Sequence, residues 1–244
     1  MTAAVTLATT RRVLAQLRHD RRTVAMLLVF PAVLMVILRY VFDSGAAFDR
    51  IAPALLGIFP FTVMFLVTSV ATLRERRGGT LERLMTMPMG RLDFLLGYAL
   101  AFGAVALLQV AVVTAVTVLG LGLDVVGPVW QLALVAVLDA LLGTALGLAV
   151  SAFARTEFQA VQFLPVVVLP QVLLCGLFVA RDQMAAVLEW LSAAMPLSYA
   201  VEAMNLVTRS TDPSGELWWD VLVVAGASVL ALAVGAATLR RRSP

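Results

Sequence analysis

The sequence predicts an all-α membrane protein: six transmembrane helices, an N-terminal amphipathic interfacial helix, a short cytoplasmic helix and an outer re-entrant helical pair. Three observations predict it. Of the 244 residues, 61% are hydrophobic and only 14% are charged, whereas an ordinary soluble domain has about a quarter of its residues charged. The apolar residues collect into six runs, each long enough for the roughly 20 residues that a helix needs to cross a bilayer. The charges lie mostly between the runs, and 14 of the 18 arginines fall on one side.

Residues 1–22 form the first element. Val13, Leu14 and Leu17 recur at helical spacing, Leu7 lies one heptad before Leu14, and Arg11, Arg12, Arg18 and Arg22 cover the rest. This is the pattern of a helix lying in the membrane surface. The transmembrane domain follows over residues 23–239, with spans at about 23–42, 51–73, 94–123, 125–154, 158–180 and 221–239, and residues 240–244 form a tail. The first run exceeds the apolar core of a signal peptide and reads as a retained helix. Six spans put both termini on one side. The arginines of the N-terminal segment, of the loop after the second span and of the tail make that side cytoplasmic. Trp130, Trp190, Trp218 and Trp219 all fall at span ends or in loops on the outer side, where tryptophan favours the membrane interface.

Two segments between spans are unusual. In the loop 74–93, Gly78 and Gly79 break the second span, Thr80 is suited to cap a new helix, and Glu82 in its first turn favours the helix dipole. Leu81, Leu84 and Met85 make one apolar stripe before Pro88 stops it. So short a helix cannot cross a membrane, and its stripe needs a partner or the membrane surface. The outer segment 181–216 places Met184, Val187, Leu188 and Leu191 at helical spacing, then Met195-Pro196, then Val201, Met204 and Leu206. It is too apolar for a solvated loop and too short for two spans, which predicts a helical pair dipping into the outer leaflet.

Composition excludes much chemistry. All basic residues are arginine, so no Walker A loop and no Schiff-base lysine exists. One histidine, His19, and one cysteine, Cys175, build no zinc site and no internal disulfide. No catalytic and no metal site is expected. The net charge of +3 does not argue for nucleic acid, because the arginines flank apolar runs.

Within the spans, Asp139 is the outstanding residue. An ionisable group in a membrane is costly and faces protein or a water-filled cavity. It shares a helix face with Gly143 and Gly147, a small-residue packing signal. The acid is either buried at a helix contact or meets substrate or protons. Phe61, Met64, Phe65 and Thr68 form a stripe on the second span, and Gln159 and Gln162 a pair on the fifth; they are either a substrate path or ordinary packing. Pro31, Pro53, Pro60, Pro165 and Pro170 lie inside spans as hinges or static bends.

Arg74-Glu75-Arg76 with Gly79-Thr80-Leu81-Glu82, Leu84 and Pro88 carries one half of a family pattern. The stretch from Phe163-Leu164-Pro165 through Glu189-Trp190-Leu191 to Met195-Pro196-Leu197-Ser198-Tyr199 and Glu202 carries the other. Together with the six spans, the chain resembles the permease subunits of type-2 ABC exporters, most closely the drug-resistance, daunorubicin-exporter-like branch. The resemblance implies that the short cytoplasmic helix is a coupling helix, with Glu75, Arg76, Gly79, Thr80, Leu81, Glu82, Leu84, Met85 and Pro88 contacting an ATPase. It implies two copies of an ABC ATP-binding subunit, a second permease copy as a homodimer, and surrounding membrane lipid. ATP and Mg would be bound by the ATPase, with no cofactor in this chain. It also implies that the second and fifth spans line the path of a hydrophobic or amphiphilic substrate leaving a bacterial cell through the cytoplasmic membrane. A different expectation is an ion-gradient-driven secondary transporter using Asp139. An intramembrane enzyme has too few polar residues to work with.

Overall fold

The computed structural model describes residues 3–42, 44–78, 91–211 and 215–238. Among them are nine α-helices and no strand. In order they are α1 (Ala3–His19), α2 (Arg21–Val41), α3 (Gly45–Arg77), α4 (Arg91–Ala115), α5 (Val129–Val150), α6 (Glu157–Leu174), α7 (Ala186–Ala193), α8 (Pro196–Arg209) and α9 (Gly215–Thr238). A π-helical turn at Val116–Gly120 prolongs α4. Helices α2, α3, α4 with its π turn, α5, α6 and α9 are long and apolar enough to cross a membrane. At about 1.5 Å per residue, the 33-residue α3 is far longer than a bilayer core and projects beyond it.

Two spans end sooner than their apolar runs do. Gly122 and Gly176 both have positive φ, +72° and +90°, which glycine adopts without steric cost and which stops a right-handed helix. The fifth span therefore closes at Leu174 and not at the expected Ala180. Its start is capped by Thr156, whose hydroxyl accepts from the Gln159 amide at 3.1 Å, while Gln159 Oε1 accepts from the Arg155 amide at 2.8 Å. Its end is closed from outside: Ser192 and Ser198, from α7 and α8, donate to the Leu174 carbonyl at 2.7 and 3.3 Å. Pro196 stands in the first turn of α8, where its missing N–H costs nothing.

Helix α5 is the axis of the bundle, packing against α3, α4, α8 and α9. Its contact with α3 is the most extensive. In lipid, apolar side chains gain little by touching one another, so helix contacts depend on close approach and dispersion. Gly143 and Gly147 provide that approach. A Cβ on Gly143 would collide with the Phe61 carbonyl oxygen, and one on Gly147 would sit 2.5 Å from the Phe65 oxygen. The outer faces of α2, α6 and α9 remain apolar and exposed, as lipid-facing surfaces should. All four tryptophans are exposed.

Helix α1 forms, but its apolar stripe is turned toward protein. Val13 is buried, Leu14 and Leu17 pack on the core, and Leu7 alone of the four is exposed. The reason is a tight seat on α4: a Cβ at Gly97 would stand 2.6 Å from Thr9 Cβ, and the Thr10 hydroxyl donates to the Gly97 carbonyl at 3.2 Å.

Candidate functional site

The end of α3 is bound on two sides. Arg12 of α1 reaches Glu75 at 3.3 Å, Gln16 donates to the same carboxylate at 3.1 Å, and a second Arg12 nitrogen donates to the Tyr98 hydroxyl at 2.9 Å. The Arg12 guanidinium lies 5.9 Å from the centre of the Tyr98 ring. Tyr98 itself is buried on α4, so this cluster joins three helices. One residue earlier, Arg74 grips Glu157 at the start of α6 through Nε and Nη2, at 2.9 and 3.0 Å. This fork-to-carboxylate arrangement is geometrically selective.

Two of the residues expected to meet an ATPase lie beside these contacts. The Glu75 carboxylate faces inward, because Arg12 and Gln16 occupy it. Arg76 is half-buried, and its Nε and one terminal nitrogen have no hydrogen-bond partner among the described residues. The hydroxyls of Thr68 and Thr72 are likewise buried without partners. At i, i+4 and i+8 the three groups make one polar line toward the end of α3. The expected coupling residues Gly79, Thr80, Leu81, Glu82, Leu84, Met85 and Pro88 lie outside the described residues.

The expected substrate path is not assembled within the chain. Phe61, Met64, Phe65 and Thr68 are all fully buried. The two glycines of α5 draw the α3 backbone so close that this part of α3 is packing surface. Gln159 and Gln162 are exposed on α6, and Gln159 is used in the helix cap. Burial on one helix and exposure on another keep the two sets apart.

Asp139 is wholly buried, and among the described residues neither oxygen has a hydrogen-bond partner, from threonine or glutamine or any other side chain. It faces the contact of α3 with α8: a Cβ on Gly57 would be 3.0 Å from Asp139 Oδ2 and 2.8 Å from the Met204 methyl.

A cavity of about 920 Å³ opens at the opposite end of the bundle, between the start of α3, the chain after α6, and α8. Arg50, Arg209 and Asn205 line it. So do Arg181 and Glu202, which form an ion pair across it. Arg181 also stacks over the Tyr199 ring at 4.9 Å.

A helical bundle of this kind, with a long helix tied off at one end, has a matching sequence family. The family model described as ABC-2 type transporter covers residues 4–207. The chain belongs to that family. Among relatives of this ABC-2 chain, the probable multidrug ABC transporter permease YbhS of Escherichia coli K12 is 25% identical over 206 residues, 84% of this chain and 55% of that protein. The permease YbhR of the same organism is 24% identical over 177 residues, 71% of this chain and 48% of that protein. ABC transporter G family member 20 of Dictyostelium discoideum is 26% identical over 157 residues, 64% of this chain and 22% of that protein. The chain thus spans about half the length, or less, of these curated relatives.

Sequence patterns alone miss Arg12, Gln16, Tyr98 and Glu157 in this ABC-2 chain. Their partners lie far along the chain, and no local spacing signals them. The Thr156 to Gln159 cap does carry a local signal, the Thr-x-x-Gln pattern of a capping box.

Proposed function

We propose that this chain is the permease of an ATP-driven exporter, moved by a separate ATPase that docks on its arginine-rich face. The observation that carries the reading is the double anchoring at the end of α3. The segment 79–90 leaves from that end, and the last turns of α3 are tied to α1 through Glu75 and to α6 through Arg74. A push delivered to the segment would pass to three helices as a rigid body. The lysine-free sequence supports an ATPase on another chain, since it leaves no Walker A lysine here.

In this reading Gly79, Thr80, Leu81, Glu82, Leu84, Met85 and Pro88 meet the ATPase, which binds ATP and Mg. Two ATPase copies serve a homodimer of the permease. The arginine-rich face with both termini is cytoplasmic, in a bacterial plasma membrane. The substrate is hydrophobic or amphiphilic, drug-like or lipid-like; the Escherichia coli relatives are named as probable multidrug permeases. With the Phe61 stripe occupied by packing, the exposed face of α6 around Gln162 would join the path where the two permeases meet. A second reading, transport driven by an ion gradient, rests on the unpartnered carboxyl of Asp139.

The test is co-purification and transport. Glu82→Arg should abolish co-purification of the ATPase while the permease stays folded, and ATP-dependent efflux should require both subunits. Unchanged co-purification overturns the coupling assignment. Efflux that persists without an ATPase and collapses with the proton gradient selects the second reading.

A further inference from the structure

The corner between α1 and α2 holds a basic groove whose arginines form no ion pair that holds the fold and do not belong to the proposed ATPase-coupling residues. Its volume is about 830 Å³ and its walls are Arg11, Arg18, Arg21 and His19, over a floor of Leu14 and Ala15. The three arginines are exposed, and none makes a hydrogen bond or ion pair among the described residues. This contrasts with Arg12 on the neighbouring face of α1, which is spent on Glu75 and Tyr98.

The nearest acid in sequence does not neutralise them. Asp20 caps α2, accepting from the Thr23 hydroxyl at 2.6 Å and the Thr23 amide at 3.1 Å. Those hydrogen bonds lower its pKa below the ordinary carboxylate value, and its charge is also felt by Arg74. The His19 ring is fixed by an Nδ1 contact with the Ala15 carbonyl at 2.7 Å. Three guanidinium groups therefore line the groove with no ion pair among the described residues, where α1 ends and the first span begins.

The place of the groove tells which anion fits, because Arg21 in its wall is the first residue of the membrane-spanning α2. Arg22 heads a face of α2 that continues at helical spacing with Met26, Val29, Val33 and Ile37. All four apolar residues are exposed. A soluble anion has no use for such a stripe, but acyl chains do. We propose that the groove binds the head group of an anionic phospholipid, with Arg11, Arg18 and Arg21 on the phosphate and the acyl chains lying along α2. Guanidinium groups bind phosphate oxygens through paired donors, and basic pockets beside membrane helices are suited to anionic head groups. The bound lipid would join α1 to α2, two helices that share little direct contact. Only the leaflet rests on the orientation proposed above; the binding does not.

The experiment uses the full chain, purified without any ATPase in a non-ionic detergent. Native mass spectrometry compares retention of phosphatidylglycerol with that of phosphatidylcholine. The wild type should retain phosphatidylglycerol preferentially. The variant Arg11→Gln/Arg18→Gln/Arg21→Gln should lose that preference, by roughly fivefold for each arginine removed. Single Gln substitutions give the same reading should the triple variant fail to fold. Arg209→Gln, at an unpaired arginine on the opposite face, should change nothing. Equal retention of the two lipids, a preference that survives the groove substitutions, or an equal loss in Arg209→Gln overturns the proposal. Displacement of the lipid by inorganic phosphate also overturns it, in favour of a free-anion site. Because no ATPase is present, this outcome is independent of the Glu82→Arg result.

Discussion

Arg74 holds Glu157 with two parallel hydrogen bonds, 2.9 and 3.0 Å long, and so fastens the end of the longest helix to the start of α6. Both side chains are about half exposed, and an exposed pair contributes at most about 1 kcal/mol to stability. Its role is positional. Arg74→Ala and Glu157→Ala should each leave thermal unfolding in detergent nearly unchanged, yet reduce ATP-driven efflux. The swapped pair Arg74→Glu/Glu157→Arg should recover much of it. An efflux rate indifferent to all three variants would remove α6 from the coupled unit.

The Arg12 cluster should behave differently, because it is more buried. Glu75→Ala removes the carboxylate that both Arg12 and Gln16 donate to and leaves Arg12 its bond to the Tyr98 hydroxyl. Hydrogen bonds to charged groups contribute about 1.5–3 kcal/mol each, so a clear drop in thermal stability is expected. A double-mutant cycle of Arg12→Ala with Glu75→Ala should give a coupling of about 1 kcal/mol or more. Additive effects would show that the two residues act independently.

The glycine contact between α3 and α5 predicts a sharp positional contrast. Gly143→Leu drives a side chain into the Phe61 backbone, and overpacking of this kind costs about 1–3 kcal/mol or more. Gly226→Leu on α9 meets open space and should be tolerated. Gel filtration after heating reads both. Equal survival of the two variants would mean that α3 and α5 do not meet as described.

Among the described residues Asp139 has no ion pair and no hydrogen-bond partner to lose. A buried carboxyl that is ionised and unpaired costs several kcal/mol, so Asp139→Asn removes a liability. Stability should stay level or rise, and ATP-driven export should continue. A folded Asp139→Asn protein with no transport would favour the gradient-driven reading.

Features that depend on local order alone are legible in the sequence. Six apolar runs became six helices long enough to span, since bilayer thickness fixes their length and lipid forces every backbone group into a helix. Gly143 and Gly147 lie where α5 approaches the α3 backbone closely. The stripe of α1 was equally visible, but its partner was not. A helix with one apolar face can bury it in lipid or in protein, and only the glycine at position 97 and its threonine neighbours decide for protein.

The same limit governs the functional residues. By itself the sequence determined the membrane class, the number of spans, the lack of a Walker A lysine and the family pattern, because each follows from composition or short-range order. Only the tertiary structure decided that Glu75 turns inward, that the Phe61 stripe is packing, and that three arginines stand unpaired at the α1–α2 corner. Those outcomes depend on which groups distant in sequence arrive within hydrogen-bonding or van der Waals range, and charge or hydropathy along the chain does not encode that distance.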